Sequence, residues 1–247
     1  MADAAAKIIN GIECVLVKAG TFTMGESDTS NASWSGPSTQ QVTITKDFWI
    51  SKYPITEKQC GNSERSGRFV ERFANHPVES VDWAFADWWT KNIGGRLPTE
   101  AEWEFAARGG NKSKGYIYSG SNNLDDVGWY DGNSITVTKP AGRIARLLFT
   151  LRYFGNVWTN PVGQKSPNEL GIYDMSGNVF EWCSDWYGPY STSAVTDPAG
   201  CDTGGWRVIR GGSWNSNAQE CRVARRDRDR DTSDCGVIGF RVVFPAD

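Results

Sequence analysis

Residues able to do chemistry are few in this chain, and their spacing narrows what they could do. There is one histidine, His76. Zinc hydrolysis on three histidines and non-haem iron held by two histidines and a carboxylate are therefore excluded. A Ser-His-Asp triad would rest on His76 alone. The six cysteines, Cys14, Cys60, Cys183, Cys201, Cys221 and Cys235, include no CxxC pair, so a zinc ribbon or a thioredoxin-like dithiol has no support. Their even number leaves two alternatives open, disulfides in an oxidising compartment or buried free thiols. Asn178, Glu181 and Asp185 offer oxygens for calcium, but their spacing is not that of an EF-hand. No metal and no cofactor is assigned.

The densest charge lies near the end of the chain. Arg222–Val237 reads RVARRDRDRDTSDCGV, with Arg222, Arg225, Arg226, Arg228 and Arg230 set against Asp227, Asp229, Asp231 and Asp234. Such a run cannot enter a core unpaired. The alternation is read as neither a strand nor a helix pattern, and the segment as a solvated, charged loop. The chain as a whole is not basic: Lys+Arg is 26, Asp+Glu is 29 and the net charge is -3, which argues against a nucleic-acid partner.

The elements that must position these residues are short. With 247 residues the chain has room for a full core in one domain. Mean hydropathy is -0.49, and no apolar run approaches the ~20 residues of a membrane span. Met1–Lys7 lacks the basic start and apolar middle of a signal peptide. Twelve tryptophans and 27 glycines suggest a loop-rich fold pinned by aromatic side chains. Val78–Ile93 spaces Val81, Ala84, Phe85, Trp88 and Trp89 as a helix does. Pro98-Thr99-Glu100 opens a second helix, with Thr99 as cap and Glu102 completing a capping box, and Gly109-Gly110 ends it. Val42–Ile50, Trp206–Arg210 and Phe240–Phe244 read as strands, and Ser27–Gln41 as an exposed loop. Gly142–Asn160, with Arg143, Ile144, Arg146, Leu147, Leu148, Leu151 and Arg152, reads as a short basic amphipathic insertion, a buried helix first and a membrane-surface or partner-binding helix as the alternative. The pattern indicates one α+β domain over 1–247.

Seven stretches now stand in order: TFTMG at Thr21–Gly25, FWISKYPITEKQ at Phe48–Gln59, HPVESVDW at His76–Trp83, GRLPTEAEWEFAARGG at Gly95–Gly110, NELGIYDMSGNVFEW at Asn168–Trp182, RGGSW at Arg210–Trp214 and IGFRVV at Ile238–Val243. The series resembles the formylglycine-generating-enzyme (sulfatase-modifying factor) family from Gly20 to Phe244. That resemblance implies a C-type-lectin-like α+β fold with a small antiparallel sheet, two helices and much irregular loop. Each stretch also has a physical role. Arg96 beside Glu100, Glu102 and Glu104 suits a buried Arg-carboxylate network. Gly177-Asn178 suits a tight turn, and Gly211-Gly212 a close backbone approach. Such features report fold rather than activity.

Members of the family that oxidise a substrate cysteine carry two closely spaced cysteines soon after GGS, where they bind copper. Here only Cys221 falls in that place, and Cys235 lies fourteen residues further on. A soft copper(I) site wants two thiolates. The related iron-dependent sulfoxide synthases use three histidines. A copper-dependent oxidoreductase is therefore the disfavoured alternative, a calcium-dependent carbohydrate-binding lectin is a third reading, and the domain is read as not an enzyme.

The segment 207–243 resembles, instead, the variable region of diversity-generating-retroelement proteins on this fold, such as the surface variable protein of treponemes. In these, template adenines are changed, and an AAY codon can yield Asp, Arg, Ser, Thr, Cys, Gly, Val or Asn. The resemblance implies a hypervariable, ligand-facing set: Ser216, Gln219, Glu220, Arg225, Asp227, Arg228, Asp229, Arg230, Thr232, Cys235 and Val237, with Asn215 and Asn217 secondary. Gln219 and Glu220 require a different adenine-bearing codon. Arg222, Val223 and Ala224 are expected as scaffold, and Trp214 and the aromatics of Trp182–Tyr190 as a frame or as core. The partner is expected to be a variable ligand with a polar, charged surface, a protein among them. Cys183 and Cys221 are expected to lie close to each other, bridged or as free thiols. The modest charge and the lack of a coiled-coil pattern favour a monomer, and the resemblance further implies a bacterial cell surface, lipid-anchored through a leader outside this chain.

Overall fold

The computed structural model describes residues 5–26, 38–61, 73–134, 159–233 and 235–246. The segments 142–158, most of the expected insertion, and 27–37 lie outside them. Among the described residues the strands are β1 (Ala6–Ile9), β2 (Ile12–Val17), β3 (Gly20–Gly25), β4 (Thr39–Ile44) and β5 (Phe48–Ser51), then β6 (Phe180–Trp186), β7 (Val195–Thr196), β8 (Arg207–Arg210), β9 (Arg226–Asp229), β10 (Ile238–Gly239) and β11 (Val243–Pro245). The α-helices are α1 (Glu57–Cys60), α2 (Trp83–Asn92), α3 (Glu100–Ala107) and α4 (Leu124–Val127).

The strands form three small sheets, ordered β1-β2-β5-β11, β3-β4-β7 and β10-β6-β8-β9. The first is antiparallel throughout. The others each add one parallel pair, β4 with β7 and β10 with β6. Asn10 and Gly11 close the β1–β2 hairpin with φ of 50° and 82°, the positive values a two-residue primed turn needs.

Helix α3 is buried along its whole length, carboxylates included. Its capping box forms as expected: Glu102 N donates to Thr99 Oγ1 at 3.1 Å, and Thr99 N to Glu102 Oε2 at 2.9 Å. Arg96 then grips both oxygens of Glu102 at 2.6 Å. Helix α2 begins at Trp83 rather than Val78, because Asp82 accepts from Phe85 N at 2.7 Å and caps it there. Trp103, Trp182, Phe105 and Phe240 are fully buried between the sheets and these helices.

Two expected strands are broken by polar anchors. Val42–Ile50 divides into β4 and β5, because Thr45 N donates to Asp197 at 2.8 Å and Asp47 takes Ala19 N at 2.8 Å. Thr39–Gln41, expected as loop, belong to β4. Of Phe240–Phe244 only Val243 and Phe244 are strand, in β11, because Phe240–Val242 carry the chain from the third sheet to the first, past Arg241. Arg241 is fully buried, with Nε and Nη2 on Glu181 at 2.5 and 2.7 Å, and Nη1 on Ser51 O at 2.9 Å. Glu181 also accepts from Trp103 Nε1 at 2.6 Å, so the pair is saturated. Among the described residues no helix is long and apolar enough to cross a membrane.

Candidate binding face

The segment after β8 is laid down by two glycines with positive φ, 97° at Gly211 and 73° at Gly212. A Cβ on Gly211 would sit 3.1 Å from the Trp103 ring, and one on Gly212 2.7 Å from Cys221 Sγ. The expected Gly177-Asn178 turn, also at positive φ, interlocks with it: Gly177 N donates to Gly211 O at 2.7 Å and Trp214 N to Asn178 O at 2.9 Å. Cys221 thus plugs the space beneath Gly212. It packs with Leu124 and Val127, whereas Cys183 lies in the main core with Trp103 and Val208. All six cysteines are free. The expected closeness of Cys183 and Cys221 is corrected accordingly: they serve separate clusters and are not bridged.

Arg222, Val223 and Ala224 are scaffold. Val223 and Ala224 are buried, and Arg222 pairs with Glu26 and donates to Gln219 Oε1 at 2.9 Å. They line one wall of a cleft of about 470 Å3, whose other walls include Arg108, Tyr116 and Ile117.

The run that follows is a strand, which corrects its reading as a loop. An alternation of two residue types is the strand period itself, and it sends the types to opposite faces. β9 pairs antiparallel with β8, Arg226 opposite Arg210 and Arg228 opposite Val208. Cation and ring then alternate outward from the core. The Arg226 guanidinium lies 4.0 Å from the Tyr190 ring centre and 4.7 Å from that of Tyr187. Arg228 lies 4.8 Å from Tyr187 and 5.7 Å from Trp206, and Arg230 lies 5.4 Å from Trp206. Tyr187 N donates to Trp206 O at 2.8 Å, which sets the two rings side by side.

The inner end of this ladder is fixed by charge. Arg226 holds Glu100 through Nε at 2.6 Å and Nη2 at 2.7 Å. Arg210, fully buried, pairs with Glu104, which also takes Arg108 at 2.7 Å. Burial pushes the Glu100 carboxyl up, but Arg226 and Arg210 outweigh it and hold it below the usual range. Asp185, accepting Glu100 N at 2.9 Å, is pushed up to about 7 by burial and by the Glu100 charge. On the other face of β8, Arg207 is clamped between Trp83 at 3.6 Å and Trp186 at 3.5 Å.

Of the expected ligand-facing set, Gln219, Arg228, Arg230, Thr232 and Cys235 are exposed, and Glu220, Arg225, Asp227 and Asp229 are half-buried. Val237 is half-buried against the core beside Ile238. Ser216 is buried, its hydroxyl accepting from Ser213 N at 3.1 Å, so it shapes the turn instead of facing solvent. Asn215 and Asn217 are exposed. Arg226 and Trp206 were not in the expected set. The alternation and a tryptophan one residue before a strand were the available signals.

The closely spaced cysteine pair of a copper site is missing: Cys221 stands alone after the GGSW turn, and burial, with Glu220 and Asp131, pushes its thiol up to about 12. The oxygens considered for calcium are committed: Glu181 to Arg241 and Trp103, Asp185 to Glu100 and Ser184, and Asn178 Oδ1 to Asn160 N at 3.0 Å. Among the described residues no group of three or more His, Cys, Asp or Glu side chains is placed to hold a metal.

Comparison with known proteins places this geometry in a family. Residues 3–246 match the Sulfatase-modifying factor enzyme 1-like domain, and the chain belongs to that family. It is 34% identical over 255 residues to a protein named chaperone protein LppX from Paenibacillus barcinonensis, covering 86% of this chain and 82% of that one. It is 38% identical over 185 residues to the formylglycine-generating enzyme of Streptomyces coelicolor, but spans only 54% of that protein. It is 31% identical to the serine/threonine-protein kinase pkn1 of Chlamydia pneumoniae, covering 93% of this chain and 37% of that one. Among solved structures, Treponema denticola variable protein 1 superposes over the full length of both chains with a TM-score of 0.73 at 24% identity. PvdO from Pseudomonas aeruginosa does so with 0.66 at 23%. At these identities the likeness establishes the C-type-lectin-like α+β fold.

Proposed function

We propose that this domain is a non-catalytic ligand-binding protein whose site is diversified by adenine-directed mutagenesis. The observation that carries the reading is the Arg226–Arg230 ladder. Its inner rung is fixed to Glu100 in the core, and its outer rungs, Arg228, Trp206 and Arg230, are exposed on a backbone held in register by β8. A backbone fixed in this way loses little freedom when a ligand binds, so side chains can change while the frame stays. Exposed arginine forks beside an aromatic ring suit a polar, charged partner such as a protein surface. The likeness to a structure named variable protein supports the same reading. Display at a bacterial cell surface belongs to it as well. The 38% identity to a formylglycine-generating enzyme favours the oxidoreductase alternative, against which the lone Cys221 stands, and the committed oxygens stand against the calcium-dependent one.

The test is to sequence the DNA encoding 207–243 across many cells of the source population and to search nearby DNA for a near-copy. Substitutions confined to template adenines at Gln219, Glu220, Arg225, Asp227–Arg230, Thr232 and Cys235 are expected. A uniform segment with no near-copy overturns diversification.

A further inference from the structure

As written, the run Arg226–Asp231 is neutral, arginine and aspartate in turn. The strand unmixes it. Successive side chains of a strand leave on opposite faces. Arg226 and Arg228 therefore share one face of β9, and Asp227 and Asp229 the other. The register agrees: Arg226 lies opposite Arg210 and Arg228 opposite Val208, whereas Asp229 lies opposite Arg207. Arg230 continues the arginine side, since it and Arg228 both lie by Trp206.

The aspartates are also spent close to home. Asp227 Oδ1 accepts from Arg228 N at 2.8 Å, and Asp229 Oδ1 from Arg230 N at 2.7 Å. Asp229 Oδ2 accepts from Ser233 Oγ at 3.1 Å. Both aspartates are half-buried, while Arg228 and Arg230 are exposed. Arg226 is held inward by Glu100. What this side of the strand offers to solvent is therefore cationic: two guanidiniums beside one exposed indole.

The spacing of those two cations selects among anions. Positions two apart on an extended chain are about 7 Å apart and point the same way. An extended peptide with carboxylates two residues apart has the same repeat. A guanidinium beside a ring still offers planar N–H donors to a carboxylate.

We propose that this face takes an extended acidic segment of a partner protein, with one carboxylate on Arg228, a second two residues along on Arg230, and the chain between them against Trp206. The inference names the partner class for the ligand-binding reading and rests on that reading, but not on diversification.

The probe is a synthetic peptide alternating Glu with Thr. It is titrated into the whole chain while NMR follows the Trp206 indole N–H and the Arg228 and Arg230 Nε–H signals. All three are expected to move along one saturation curve, and affinity should fall about threefold or more between low and physiological salt. A peptide of the same composition with its Glu residues in adjacent pairs should bind about threefold more weakly, since one exposed ion pair is lost. R228S/R230S should bind the alternating peptide at least tenfold more weakly. R228K/R230K, which keeps the charge and loses the forks, should fall between. Unmoved signals, equal binding of the two Glu arrangements, or equal binding of a peptide with Lys in place of Glu each overturn the proposal. Single-stranded oligothymidylate binding as tightly as the peptide also overturns it, in favour of a phosphate chain. If R228S/R230S fails to fold, the peptide series on the unaltered protein decides. Peptide binding with a uniform coding segment overturns diversification alone, and a varying segment without peptide binding overturns this inference alone.

Discussion

Arg241 and Arg230 lie eleven residues apart and do opposite work. Arg241 is stripped of water, doubly bonded to Glu181 and bonded to two carbonyls besides. Arg230 is exposed, and its cationic end lies over the edge of the molecule beside Trp206. The difference teaches that residue type does not decide a role here. What decides it is how much water each guanidinium gives up and which carboxylate replaces that water. A buried pair is costly to form and costlier to break, whereas an exposed charge is nearly neutral to stability and free to serve recognition.

The comparison is broken most directly at its buried end. Arg241→Met leaves Glu181 charged and buried with Trp103 as its remaining donor, and it should cost about 3–5 kcal/mol in urea denaturation. A loss below about 1 kcal/mol would show that the two arginines do not differ as described.

A second test uses pH at the inner end of the ladder. Asp185 titrates near 7 in the fold, against a usual value of 3.8. Between those values the folded protein holds the extra proton, so this group's contribution is fully present below about 4 and is lost as pH rises to about 7. Asp185→Asn should remove that slope and raise stability at neutral pH, on the order of 4 kcal/mol at most. Asp174, pushed up to about 6 by burial, should leave a smaller residual slope ending near pH 6. Glu100 works the other way: its carboxyl is held down, so its contribution is present above the usual carboxylate range and fades as acid titrates it. Parallel pH profiles for the Asn variant and the unaltered protein would contradict the placement of Asp185.

The smallest effect is expected at the exposed end. Arg230→Ser should change stability by no more than about 0.5 kcal/mol while altering whatever the face binds. A large loss of stability would mean that Arg230 is structural and would erase the contrast with Arg241.

Much of this organisation was legible in the chain itself. Thr99 and Glu102 announce their capping box by spacing, and RGGSW, GNVFEW and GFRVV fix the fold because their glycines and buried charges suit few other arrangements. The β9 strand was not legible. Its alternation has the strand period, but a strand of charges has no apolar face to declare a core side, and only Glu100 and Tyr190, far away in sequence, give Arg226 a reason to turn inward. Cys183 and Cys221 part into separate clusters for a related reason. Motifs that meet through their backbones, as Gly177 and Gly211 do, need not bring their following side chains together.

The graded depth of the ladder also bears on inheritance. From Tyr190 to Arg230 each step lies nearer to solvent, so random replacements arriving along it would be filtered by depth. A lineage would purge most changes at Arg226, where Glu100 would be stranded, and would keep most of those at Arg230. The fold itself would then sort mutations into those that are lost and those that are tried, whatever process supplies them.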